Sequence, residues 1–127
     1  MNAMTALNAY RQVGQQGVQE ERLLVLGLDG ILEYLRRARG AIQERALDRK
    51  AQAMGRAYQI VEHLLVALPD PASSESGELS QRLAGVYRYL LERMGQANIF
   101  DDTQALDDCA AVVTTLRDAW IEGLRRA

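Results

Sequence analysis

Residues 20–44 read EERLLVLGLDGILEYLRRARGAIQE, and the spacing of the apolar side chains in this stretch decides the fold. Leu24, Leu28, Ile31, Leu35, Ala38 and Ile42 follow one another at intervals of 4, 3, 4, 3 and 4. That period returns each side chain to one face of an α-helix, and a seam of this length needs another helix to cover it. Gly27 and Gly30 lie inside the seam, where each costs about 1 kcal/mol relative to alanine. Either the helix tolerates them or they admit another backbone at close range.

Outward from this stretch the same period recurs. A second helix over 47–68 carries the seam Leu47, Ala51, Met54, Tyr58, Val61, Leu65, Leu68, with a second stripe at Ala53, Ala57, Ile60, Leu64 and Ala67. The two stripes together are wider than a two-helix seam requires. Pro69 and Pro71, with Asp70 and the serine-rich run to Gly77, form the one clear loop. A third helix over 77–99 has Leu79, Leu83, Val86 and Leu90 on one stripe and Ala84, Tyr87, Leu91 and Met94 on the next. A fourth over 103–125 has Leu106, Cys109, Val113, Leu116 and Trp120 as its seam, and it closes on Arg125 and Arg126, cations suited to a helix C-terminus. Its start offers Asp101 with Gln104 as a capping box and Thr103 as a rival cap. Nothing alternates as a strand does. The joins between helices 1 and 2 and between 3 and 4 are short, so those pairs are antiparallel neighbours. The expectation is an all-α, antiparallel up-down four-helix bundle over 19–127, preceded by an N-terminal arm over 1–18 in which Leu7, Tyr10 and Val13 recur at spacing three.

Composition narrows the function. The chain has 127 residues, enough for one core, and is 48% apolar and 25% charged. Fifteen Lys+Arg against seventeen Asp+Glu leave a net charge of -2, which speaks against nucleic-acid binding by phosphate neutralisation and gives no attraction to an anionic membrane. No apolar run is long enough to span a bilayer and no signal-like start is present, so a cytoplasmic protein is expected.

Catalytic chemistry finds no foothold. A di-iron bundle needs paired Glu-x-x-His motifs, and the single histidine, His63, has isoleucine at position 60. A phosphotransfer histidine is followed by lysine and small residues; here Leu64, Leu65, Val66 and Ala67 follow. Cys109 falls on a seam, where a small buried hydrophobe is the ordinary role. The run Arg36, Arg37, Arg39 invites an anion, although Glu33 is close and such runs are commonly solvated helix faces. No enzyme, metal or cofactor is expected. Surplus apolar surface on a helical bundle suits helix-in-groove recognition of another chain.

Several strings, in order, resemble the flagellar export chaperones of the FliS type. They are Ala9-Tyr10-Arg11-Gln12; Leu23-Leu24-Val25-Leu26-Gly27-Leu28-Asp29-Gly30; Ala41-Ile42 with Asp48 and Lys50; and Ala57-Tyr58-Gln59-Ile60-Val61 with Leu64. Further on come Gly77-Glu78-Leu79 with Leu83, Val86-Tyr87-Arg88-Tyr89-Leu90, Ala97-Asn98-Ile99 with Asp102, and Leu116-Arg117-Asp118-Ala119-Trp120. The resemblance runs from about residue 9 to 121.

It implies the bundle already expected, and a non-enzymatic role: holding the disordered C-terminal segment of flagellin in apolar grooves so that subunits do not polymerise before export. It further implies that the arm, with Leu7 and Tyr10, lies over the groove when no client is bound. The groove residues expected on helices 2 and 3 are Ile60, Leu64, Tyr87, Leu91 and Met94. The chain departs from the family pattern at Gly27 and Leu28 and in its long helix 2–3 loop, as a paralogue serving another flagellin or a flagellar regulator would. A histidine phosphotransfer domain and a plain dimerisation module, whose wide faces bury each other in a homodimer, are the alternatives.

Overall fold

The computed structural model describes residues 18–70, 72 and 77–126, with side chains from residue 21 onward. Its elements are four α-helices: α1 (Val18–Gln43), α2 (Leu47–Val66), α3 (Gly77–Phe100) and α4 (Thr103–Arg126), and no strand occurs among the described residues. The arm's Leu7 and Tyr10 lie outside the described residues.

Each helix packs against its neighbours in the chain, and α4 closes a ring on α1. Polar contacts fix the direction of every pair. Arg39 Nη1 donates to Asp107 Oδ1 at 2.7 Å, and Arg117 pairs with Asp29. The contacts run from residue 39 back to 29 on α1 as they run from 107 to 117 on α4, so the two helices are antiparallel. Arg93 Nη2 joins α3 to Asp108 of α4 at 2.7 Å. Lys50, in the first turn of α2, reaches the last turn of α3. Ile60 of α2 lies against Gly27 and Gly30 of α1. The result is the up-down-up-down bundle that the seams imply.

The centre holds Leu28, Ile31, Val61, Tyr87, Leu90, Met94, Cys109 and Val113, all buried. Full burial of each aliphatic side chain contributes about 1.5–3 kcal/mol. The α1 seam behaves as its spacing predicts, except that Ala41 is buried where Ile42 is half-buried. In α4, Leu106, Cys109, Val113 and Trp120 are buried and Leu116 is half-buried.

Helix α2 is rotated from the seam read in the sequence. Its buried residues are Lys50, Ala53, Met54, Ala57 and Val61, while Leu47, Ala51 and Tyr58 are exposed. Small side chains explain the difference. Ala53 and Ala57 carry little apolar weight in a pattern, yet they face the centre, and Lys50 lies between the helices with its ammonium satisfied. Helix α3 buries residues from both of its expected stripes: Leu79, Leu83 and Leu90 from one, Tyr87 and Met94 from the other.

Both short joins lie at the same end of the bundle and share one geometry. Helix α1 stops where Arg45 turns left-handed (φ 56°), with Ala46 N–H on the Ala41 carbonyl and Arg45 N–H on the Ile42 carbonyl. Helix α3 stops where Asp101 does the same (φ 52°), with Asp102 N–H on the Ala97 carbonyl. These are Schellman endings without glycine, so each carries a steric cost that the surroundings hold in place. The next residue, Asp102, caps α4: its Oδ1 accepts from Ala105 N–H at 3.2 Å. Neither Asp101 nor Thr103, the caps expected, takes that place, because Asp101 is already the left-handed residue closing α3. Helix α2 ends at Val66, two residues before the expected limit; Leu68 N–H bonds to the Leu65 carbonyl, a tighter turn ahead of Pro69.

Lys50 secures that end. Its Nζ donates to the Asn98 carbonyl at 2.9 Å and to Asp101 Oδ1 at 2.5 Å, with a side chain only 11% exposed. Lys50→Ala would leave two acceptors without their donor, a loss of about 1–3 kcal/mol. It should lower the urea midpoint with an unchanged slope; an unchanged midpoint would contradict this assignment.

Cys109 is fully buried, and that burial pushes its thiol up to about 11. At pH 8 the folded protein should resist Ellman's reagent, whereas the urea-unfolded chain should react at once. Because the folded value lies above that of a free thiol, about 8.5, stability is complete below pH 8.5. It should then fall as the pH rises towards 11, and Cys109→Ala should remove that part of the slope.

Candidate functional site

Four helices in a ring cannot bury every apolar side chain these sequences carry. Leu23 and Leu26 on α1, Leu47, Tyr58 and Val66 on α2, and Tyr89, Ile99 and Phe100 on α3 remain exposed. At 100° per residue and with the registers set by the polar contacts, several of these fall on the two outer flanks of α2.

On the flank towards α1, Ile60 and Leu64 are half-buried against a notch made by two glycines. A Cβ on Gly30 would lie 3.2 Å from Ile60 Cδ1, and one on Gly27 would lie 3.6 Å from Ile60 Cγ2. The interior glycines therefore admit a side chain of α2. Leu23, one turn before Gly27, continues this flank towards solvent.

On the flank towards α3, the Lys50–Asn98 contact sets the register. Counted antiparallel from there, Tyr58 falls near Leu90 and Leu91, Met54 near Met94 and Gly95, and Leu65 near Leu83 and Ala84. Tyr58 is exposed, and Leu65, Ala84 and Leu91 are half-buried. This is a shallow apolar furrow, continued at its lower end by Leu47, 65% exposed, and by Ile99, 74% exposed.

The five groove residues expected from the sequence thus separate. Ile60 and Leu64 lie on the α1 side of α2, and Leu91 lies on α3 in the furrow. Tyr87 and Met94 are each 1% exposed, so they belong to the core and not to a groove. On α3 both adjacent stripes are apolar, and period alone does not say that Tyr87 and Met94 turn to the centre of the ring. Tyr58 was missed as a surface residue because it occupies a heptad position in the apolar pattern. Its hydroxyl, which needs water or a partner when buried, was the signal that it stands outside.

His63 is exposed, but it sits in the last turn of α2, not at mid-helix. No three His, Cys, Asp or Glu side chains gather as a metal-binding group among the described residues. No described helix is long and apolar enough to cross a membrane.

The comparisons with known proteins identify the family. A family model described as "Flagellar protein FliS" matches residues 3–126. The flagellar secretion chaperone FliSB of Pseudomonas aeruginosa is 33% identical over 124 residues, covering 94% of this chain and 96% of that protein. The flagellar secretion chaperone FliS of Escherichia coli is 30% identical over 128 residues, covering 98% and 93%. That of Bacillus subtilis is 30% identical over 117 residues, covering 92% and 84%. The family match along nearly the whole chain, on an all-α ring of four antiparallel helices, makes the assignment: this chain belongs to the FliS family of flagellar proteins, a family of chaperones and not of enzymes.

Proposed function

We propose that this chain is a cytoplasmic flagellar export chaperone that binds the C-terminal segment of flagellin and keeps it from polymerising. The observation that carries the reading is the surplus of apolar side chains left outside a complete core, drawn into furrows along both flanks of α2. A disordered client segment gains by folding its own apolar residues into such furrows, and that burial offsets the entropy lost on ordering. Ile60, Leu64 and Leu91 are the client contacts we keep from the sequence, with Tyr58 added. Tyr87 and Met94 support the furrow from beneath. Among the curated relatives, three proteins named flagellar secretion chaperone support the role.

The test is calorimetric titration with a peptide from the C-terminus of the same organism's flagellin. Saturable one-to-one binding with a negative heat-capacity change is expected, the signature of apolar burial coupled to folding. Tyr58→Asp should weaken binding at least tenfold while leaving the thermal unfolding curve in place, since Tyr58 is exposed. No binding at tens of micromolar would overturn the client. Undiminished binding by Tyr58→Asp would overturn the furrow.

A further inference from the structure

The cations singled out in the sequence, Arg36 and Arg37, do not stand alone. In the folded chain they face Arg49 and Arg56 across a cleft between the C-terminal half of α1 and the N-terminal half of α2, with a volume of ≈ 530 Å³. The charge is concentrated. At the cleft Arg36, Arg37, Arg49 and Arg56 stand against Glu33 and Glu44, two net positive charges within a chain of net -2.

Internal pairing neutralises part of this charge and leaves the rest available. Glu33 serves Arg36 and Arg37 together, and hydrogen bonding to Arg36 holds its carboxyl below the ordinary carboxylate range. Glu44 pairs with Arg49. Arg56 makes no ion pair among the described residues. Arg39, by contrast, turns away to Asp107 and the Thr103 carbonyl and takes no part.

The cleft is shaped as well as charged. Ala41 and Ala53 are buried and lie in its floor beside Gly40. A Cβ on Gly40 would meet no atom within 4 Å. Tyr34 lines the cleft beneath Arg37, whose guanidinium carbon is 5.3 Å from the ring centroid. Arg49 and Arg56 are two helical turns apart, about 10 Å along α2. The register of Gly30 opposite Ile60 sets Arg36 and Arg37 between them on the other rim. A small-residue floor lets a third helix approach closely, as packing at 8–10 Å between axes requires.

We propose that this cleft docks an acidic helical segment of a partner protein, its carboxylates spaced 3, 4 and 7 residues apart along one face. Such a helix satisfies its own backbone, lays small side chains on Ala41 and Ala53, and offers carboxylates to guanidiniums on both rims. The cleft lies on the α1 side of α2, one turn before Ile60 and across the helix from the Tyr58–Leu91 furrow, and the proposal does not depend on the identity of the client.

The probe is a labelled 20-residue alanine-based helix carrying Glu at that spacing, with a Gln twin, titrated into the full chain by fluorescence anisotropy in 50 mM NaCl. The Glu helix should bind saturably and lose at least tenfold in affinity in 500 mM NaCl, where screening shortens the reach of surface charge. Arg56→Glu should weaken it at least tenfold. Gly40→Leu, which fills open space and replaces a poor helix former, should do the same with an unchanged or raised melting temperature. Equal binding of the Gln twin, no binding of the Glu helix at 100 μM, full binding by Arg56→Glu, or tighter binding of a uridine 12-mer than of the Glu helix would overturn the proposal.

Discussion

A helix in a ring of four can bury the arc that faces the centre and its two neighbours, and no more. The molecule is organised by that limit. On α1 the seam fits it, and Leu24, Leu28, Ile31, Leu35 and Ala38 are buried together while Leu23 and Leu26 stay outside. On α2 the apolar arc is wider than the limit. Ala53, Ala57 and Val61 go inside, Ile60 and Leu64 fill the notch at Gly27 and Gly30, and Leu47 and Tyr58 are left in water. The exposed side chains are a consequence of a core that is already full. A surface of this kind suits a protein that works by offering apolar contacts to another chain.

Polar side chains set the register in which the core closes. Arg39 with Asp107, Arg93 with Asp108 and Arg117 with Asp29 tie α4 to both its neighbours. Pairs as exposed as Arg39–Asp107 contribute little to stability, about 0–1 kcal/mol each. Their effect is to favour one axial alignment among several that a leucine-rich seam would accept. Lys50 differs, because it is enclosed and binds the end of α3, where Asp101 is held left-handed. The two short joins and Lys50 make one end of the bundle rigid by hydrogen bonding as well as by apolar packing.

Much of this was legible in the sequence, and the failures have physical causes. The 4, 3, 4, 3, 4 spacing in α1 is carried by large side chains, so the buried face could be read directly. In α2 the true face is carried by two alanines and a lysine, which pattern reading weighs too lightly. In α3 two adjacent stripes are apolar, and only the closed ring shows that Tyr87 and Met94 go to the centre. The three successive residues Asp101, Asp102 and Thr103 can each cap a helix; the choice depends on the left-handed turn, which sequence spacing does not reveal. The basic cleft was half visible, since Arg36 and Arg37 stood out, but Arg49 and Arg56 join them only once α2 folds back on α1.

The central claim is that recognition uses surface left over from a complete core, without opening that core. Hydrogen–deuterium exchange of the chain with and without the flagellin C-terminal segment tests it most directly. The account predicts slower exchange along the exposed flanks of α2 and in the Ala84–Gly95 part of α3, with the slowest core amides around Leu28 and Val113 unchanged or slower still. Faster exchange in those core amides on binding, or no change along α2, would contradict it.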